Sequence, residues 1–491
     1  MEFLSPNEKR KKTIQLFVGY GLMAILIALA ALILIFVAEG YGYDPNKGVS
    51  QSGLVFFNSN PTGASIYFNN QVQSSQTNTK FSLLGGTYKA SVKKDKYIDW
   101  NKQINVDGGT VRYYDYIRLF PKNIPVGITQ AYDAMPVWVS QSPNGQWLLL
   151  QQTNQTPNIT VIDTRNPTTP SKTVSIPQSL ISNEYSDLGV FSVIGWADDN
   201  NHLMILQTLP SGKKEYLVID VNTPNSSVNL TNNLSIPQTS SVMFFNQKSN
   251  QYLLFDKTAG TIKLADSSTI QSNPLLSNVV AFKSFADNLI LYVSYTANNP
   301  MATVSVLSNK KDRYTLEPIL KDPNDHYLLD MAQYAGRWYY VVSSTAQNKV
   351  IVYRDPLNNA TAGSTTPIAP RLALLLDNPQ FASFSTSARF LGMQSGNKFI
   401  VFDAELDHVN RFSVDLPIAA NVQAKWMDPS HYSVVADGYE RVFEFDGANL
   451  TKLTPSNDSQ KAYFSPDNSY LYTFINEVNG KIGFENGKLV L

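Results

Sequence analysis

From Ile124 to Leu491 one pattern recurs eight times. An aromatic or apolar strand runs into a turn and a very apolar strand follows. A second apolar strand comes after it and usually closes on aspartate. The clearest copy is SQSPNGQWLLLQQ and then ITVID, from Ser140 to Asp163. The others run Trp196–Asp220, Phe244–Asp266, Phe282–Ser308, Tyr334–Asp355, Phe384–Asp403, Trp426–Asp446 and Phe464–Glu485. Short apolar runs bounded by Asn, Asp, Gly and Pro read as strands, and no helical periodicity interrupts them. One such unit cannot bury both faces of its own small sheet, so the units must pack on one another.

Copies begin roughly 40 to 50 residues apart, the spacing of β-propeller blades. Packing blades around an axis buries both faces of each sheet and protects the strand edges. Eight copies favour eight blades; a terminal copy shared to close the ring gives seven. Two stacked β-sandwiches are the alternative. The turns Ser142-Pro143-Asn144-Gly145 and Ser465-Pro466-Asp467-Asn468 resemble those of TolB-like and WD40-like bacterial propellers. The Gly-His and Trp-Asp signatures are missing, so the resemblance is one of architecture.

The N-terminal part is different. Leu16–Ala38 carries no charge and is apolar on every side. At about 1.5 Å per residue a helix of this length spans roughly 30 Å of hydrocarbon. Ala28-Leu29-Ala30 has the residue types of a signal cleavage site but lies inside the run, so the segment reads as an uncleaved anchor over residues 13–38. Lys9, Arg10, Lys11 and Lys12 precede it, which keeps the tail 1–12 cytoplasmic and sends the rest outside. Phe17, Tyr20, Phe36, Tyr41 and Tyr43 fit interfacial belts. Ala24, Ala28 and Ala31 share one helix face, the pattern of a weak transmembrane dimer seam and equally of ordinary filler. Residues 39–52, rich in Gly and polar side chains, read as a linker.

Residues 53–121 alternate as a small antiparallel β-sandwich, with turns at Asn69-Asn70, Gly85-Gly86 and Gly108-Gly109. The order Ser59-Asn60-Pro61-Thr62-Gly63-Ala64, Ile66-Tyr67, Leu84-Gly85-Gly86-Thr87-Tyr88 and Lys96-Tyr97 resembles the PEGA family. Thr62 stands where that family has Glu, Asn78-Thr79-Lys80 where Thr-Pro is usual, and Lys96 where Gly precedes Tyr. The resemblance implies an extracytoplasmic accessory module of a bacterial or archaeal surface protein, an envelope contact or spacer without catalytic residues. The expected architecture is an all-β ectodomain behind one transmembrane helix, with the propeller occupying 124–491.

Chemistry is sparse. Net charge is zero, with 39 basic and 39 acidic residues, which argues against a nucleic-acid partner. There is no cysteine, hence no disulfide and no thiolate metal site. No GxSxG, HExxH, calcium-loop or phosphate-loop motif occurs. Asp163, Asp220, Asp266, Asp403 and Asp446 recur at one place in the repeat, which marks turn chemistry. Trp196, Trp426, Phe384 and Phe464 likewise share a position and read as packing between blades. His202 and His431 share a turn and read as exposed; His408 shows no motif. His326 has Asp322 and Asp325 nearby, but metal ligands would have to come from other loops. Trp100, Trp138, Trp147 and Trp338 are not explained so directly; an exposed one could offer a sugar-stacking platform, and large aromatics also fill propeller cores. No catalytic, cofactor-binding or metal-binding residue is assigned, and no cofactor. The expected function is a non-enzymatic, membrane-anchored scaffold whose propeller binds envelope polysaccharide or a surface protein. The alternative is a propeller glycosidase or lyase with its site at the channel mouth.

Overall fold

The computed structural model describes residues 6–44, 48–457, 461–477 and 479–491. These divide into two compact units, Met1–Asn123 and Ile124–Leu491.

The first unit opens with α1 (Pro6–Ala38), which starts within the basic tail rather than after it. Its large apolar side chains are exposed from Ile14 to Val37. The segment 39–52 is not an open linker. Strand β1 (Tyr41–Asp44) pairs antiparallel with the start of β2 (Gly48–Asn60), Tyr41 opposite Gln51, and the Phe36 ring meets Tyr41 edge-on at 5.1 Å. The other strands are β3 (Ser65–Phe68), β4 (Gln71–Gln76), β5 (Thr79–Leu84), β6 (Gly86–Lys93), β7 (Trp100–Val106) and β8 (Val111–Arg118). One sheet orders β1-β2-β5 with β8 parallel on β2; the other orders β4-β3-β6-β7. Alternate residues of both face inward, and Val55, Phe57, Ile66, Val92, Trp100, Ile104 and Ile117 form one core. Tyr97 is buried with them. Its neighbour Lys96, in place of the usual Gly, sits at φ +65°, where a Cβ is crowded.

The second unit holds eight sheets, settling the blade number at eight. Sheets 1 to 7 span residues 138–175, 190–229, 240–266, 279–320, 327–375, 381–413 and 425–455. Each runs strand by strand in chain order, except that in sheet 4 a short fifth strand, Ile319–Leu320, pairs back on the third. Sheet 8 takes three strands from 463–488 and its fourth from the start of the unit, Val126–Tyr132 paired with Ile482–Lys488. Both ends of the unit thus meet in one sheet and the ring closes by hydrogen bonds. Neighbouring sheets bury apolar clusters between them. Sheet 8 packs on sheet 1 through Tyr132, Tyr472, Phe474 and Phe484 against Leu148, Leu150 and Ile162. The Tyr472 hydroxyl donates to the Thr164 carbonyl at 2.8 Å across that contact. Sheet order excludes the two-sandwich alternative. Sheet 3 has three strands; irregular chain after Asp266 touches its outer edge at Ile270 and Leu276.

Candidate functional site

Strand direction sorts the loops onto two ends of the ring. The first-to-second connections of all sheets, and the third-to-fourth connections where a fourth strand follows in the chain, emerge at one end. The second-to-third connections and the links to the next sheet emerge at the other.

The repeated motifs occupy the first end. Asp220 accepts the backbone N–H groups of Asn222 (3.0 Å) and Thr223 (2.7 Å). Asp266 accepts from Ser268 and Thr269, and Asp403 from Glu405 and Leu406. Asp163 and Asp446 accept from Arg165 and Ala448. Five carboxylates doing one local job are turn caps. The N–H groups of Ser268 and Thr269, with the Ser268 hydroxyl, hold the Asp266 carboxyl down to about 2. A cavity of about 250 Å³ opens at this end between sheets 3 and 4, lined by Phe245, Gln251, Leu264, Asp266, Gln271 and Lys310.

Three of the four aromatic first-strand positions pack in apolar clusters between blades, while Phe464 is half-buried and joins none of them. Trp196 and Trp426 also donate their indole N–H to the preceding sheet, to the Ser140 hydroxyl at 2.9 Å and the Ser383 carbonyl at 3.1 Å. Phe384 packs between sheets 5 and 6. Neither of the two histidines expected to be exposed is so. His202 is half-buried with Nδ1 2.7 Å from Asp199, but His431 is 3% exposed with Nδ1 2.9 Å from Asp428. Each aspartate also accepts the backbone N–H of its histidine, which turns the ring inward along the strand. His408 is exposed. The tryptophan platform is overturned too: Trp100 and Trp138 are buried in cores, and Trp147 and Trp338 are half-buried against them. Ala24, Ala28 and Ala31 lie exposed along α1.

The other end carries chemistry that does not repeat. The link between sheets 4 and 5 brings Asp322, Asp325, His326 and Tyr327 together with Lys257 of sheet 3, Tyr295 of sheet 4 and Thr345 of sheet 5. The Tyr295 and Tyr327 hydroxyls are 2.7 Å apart, and Tyr295 also donates to Asp325 at 2.8 Å. Lys257 lies 3.4 Å from the second Asp325 oxygen, and the Lys321 ammonium sits 4.7 Å from the Tyr295 ring centroid. Asp322 is 3% exposed and accepts the Thr345 hydroxyl and the N–H groups of Asn324 and His326. Burial raises its pKa, but these donors outweigh burial and hold it below the usual carboxylate range. Burial, then the neighbouring Tyr327 and Asp325, push the Tyr295 hydroxyl up, so it remains a donor at any physiological pH. The His326 side chain is exposed; its backbone N–H donates to Asp322. Among the described residues no three His, Asp or Glu side chains converge as metal ligands. Motif reading singled out Asp322, Asp325 and His326 but missed Tyr295, Tyr327, Lys257 and Thr345, which come from separate loops and carry no local pattern.

A family model described as PEGA domain matches residues 52–116, a minor part of the chain. Among curated proteins none matches. Solved structures similar to this chain include Kluyveromyces lactis Hsv2, 14% identical with TM-score 0.37, covering 60% of this chain and 97% of that one. Another is the Cps50 (Swd1) β-propeller domain of Myceliophteria thermophila, 10% identical with TM-score 0.34, covering 74% and 99%.

Proposed function

We propose that this is a non-enzymatic, single-pass membrane protein whose propeller presents a binding surface for envelope polysaccharide or a surface protein, with the PEGA domain as envelope contact or spacer. One observation carries this reading: the repeated polar groups cap turns at one end of the ring, while a singular cluster from three adjacent sheets stands at the other. Lys257, Tyr295, Asp325 and Tyr327 combine both charge signs with two aromatic hydroxyls, a hydrogen-bonding surface held by a rigid frame. The exposed apolar length of α1 supports an anchor, and the Lys9–Lys12 run supports a cytoplasmic tail. A carboxylate on the inner strands, Asp330, is engaged by Lys283 of the neighbouring sheet and by the Phe384 N–H, which leaves it poorly placed as a free acid or base.

The test is binding of the full chain in lipid nanodiscs to purified envelope polysaccharide and to surface-exposed envelope proteins. The same measurement is made on Tyr295→Phe, which removes one hydroxyl and keeps the ring. A partner bound at least about tenfold less tightly by the variant supports the reading, the loss of one well-formed hydrogen bond to a charged or polar partner. Binding to neither class, or equal binding by both forms, overturns it.

A further inference from the structure

Seven of the eight sheet-to-sheet contacts hold an apolar cluster. Among the described residues none joins sheet 7 to sheet 8. Register explains what lies there instead, because directly opposed residues share a sheet face. In sheet 7, Tyr432 opposite Phe443 faces sheet 6 and belongs to its cluster. The alternate pairs His431–Glu444, Ser433–Val442 and Val435–Glu440 therefore face sheet 8. In sheet 8, Phe474 opposite Phe484 faces sheet 1. The alternate pairs Leu471–Gly487, Thr473–Glu485 and Ile475–Gly483 face sheet 7.

The contact thus sets Val442, Leu471 and Phe464, which pairs with Leu471, beside acidic and hydroxyl groups, and it is dry. Glu440 and Glu444 are 0% exposed and Thr473 is 1% exposed. Glu444 accepts from the Asn449 side chain at 2.8 Å, and His431 is held by Asp428. One Glu440 oxygen accepts the Ser433 hydroxyl; the other has no partner. The hydroxyls of Thr473 and of Thr454, the latter across a β-bulge on the next strand, are unpartnered as well. So is one oxygen of Glu477. The charged groups around Glu440 do not neutralise it. On its own sheet these are His431 and Glu444, with Arg441 on the opposite face directed to Asp437 at 3.8 Å. On sheet 8, Glu485 shares the face toward sheet 7 and feels the negative charge of Glu477. From the link between the sheets the Ala462 N–H reaches Glu440, while the exposed Lys461 turns its ammonium to the Tyr463 ring at 5.1 Å. No ion pair to Glu440 exists among the described residues.

We propose that the contact between sheets 7 and 8 is a proton-operated seam in the ring, closed while Glu440 is a neutral acid and loosened when it ionises. The neutral acid brings an O–H donor to a contact whose unpartnered polar groups are carboxylate oxygens and hydroxyls; the carboxylate brings a buried charge without a counter-ion. Burial pushes the Glu440 carboxyl up to about 7, although the Ser433 hydroxyl and the Ala462 N–H favour its ionised form. A folded pKa raised above the unfolded value of 4.5 makes the stabilisation complete below that value and lost as pH rises through about 7. The other seven contacts each hold an apolar cluster, and the buried carboxylates Glu215 and Asp330 elsewhere in the ring each face a lysine. Opening the ring at this seam leaves sheet 8 attached to sheet 1 through its own apolar cluster and both chain ends.

Hydrogen exchange of the full chain in nanodiscs, at about pH 5.5 and about pH 8.5 and corrected for intrinsic rates, tests this. The strands Tyr439–Glu444 and Tyr470–Asn476 are expected to lose about tenfold in protection at the higher pH while sheets 2 to 5 do not change. Glu440→Gln, a permanent neutral donor, is expected to keep both strands protected at both pH values. Unchanged protection of the wild-type strands, or a pH effect that survives in the Gln variant, overturns the proposal. A readout independent of the variant's folding is the infrared band of a protonated carboxyl group in the wild-type chain. It is expected to persist at about pH 6 and to vanish above about pH 8; its absence at about pH 6 also overturns the proposal.

Discussion

At the scale of single residues, equivalent positions in the repeat differ in what they hold. Asp403 is 2% exposed and receives Arg389 through two hydrogen bonds, 3.1 and 2.8 Å, besides capping its turn. Asp163 caps the same turn in sheet 1, but its Arg165 is mostly in solvent. Asp403→Ala removes a turn cap and two charged hydrogen bonds, leaving Arg389 with Glu405 as its carboxylate partner, and should cost about 2 kcal/mol. Asp163→Ala loses a turn cap and a surface pair and should cost about 1 kcal/mol. Chemical-unfolding midpoints of the two variants check the ordering. Lys96 is the opposite case, an exposed side chain at φ +65° where the family has Gly. Relief of a left-handed Lys, less the entropy of a new Gly, gives an expected gain of about 0.5–1 kcal/mol for Lys96→Gly, read from thermal unfolding of the PEGA domain. The aspartate caps were legible in the sequence because a residue that recurs at one register position has a local job. The Tyr295–Asp325–Tyr327 cluster was not, because its members recur nowhere and meet only when three sheets are stacked.

At the scale of elements, the apolar second and third strands of each blade were legible because both faces of a blade are buried, which writes runs such as Trp147–Gln151 into the sequence. The outer strands were not. Lys172–Ser175 and His408–Ser413 are largely solvent-facing and carry no apolar period. The closing strand Val126–Tyr132 was hidden for the same reason, with five of its seven residues exposed. Closure of the ring rests on what lies beneath that strand. Phe484 is fully buried, with ring centroids 4.8 Å from Phe474 and 5.8 Å from Tyr472. Phe484→Ala should destabilise the propeller by about 3–5 kcal/mol. It should also hasten proteolytic cutting near residues 126–137, and an unchanged cutting rate would count against closure by this strand.

At the scale of the whole molecule, a chain without cysteine and without net charge builds a stable exterior from apolar burial between sheets, one contact excepted. The eight-sheet count followed from a register fixed at two points per copy. The stalk expected after the anchor became a hairpin because Tyr41 and Tyr43 pair with Gln51 and Val49. The central claim is that α1 holds the propeller outside a membrane with the basic tail inside. The absence of cysteine makes single-cysteine labelling clean. Lys9→Cys reports the tail, and Tyr185→Cys reports the propeller at a side chain that is 98% exposed. With a membrane-impermeant maleimide on intact cells, the account predicts that Tyr185→Cys is labelled directly and Lys9→Cys only after permeabilisation. Labelling of Lys9→Cys in intact cells, or of Tyr185→Cys only after permeabilisation, would contradict it.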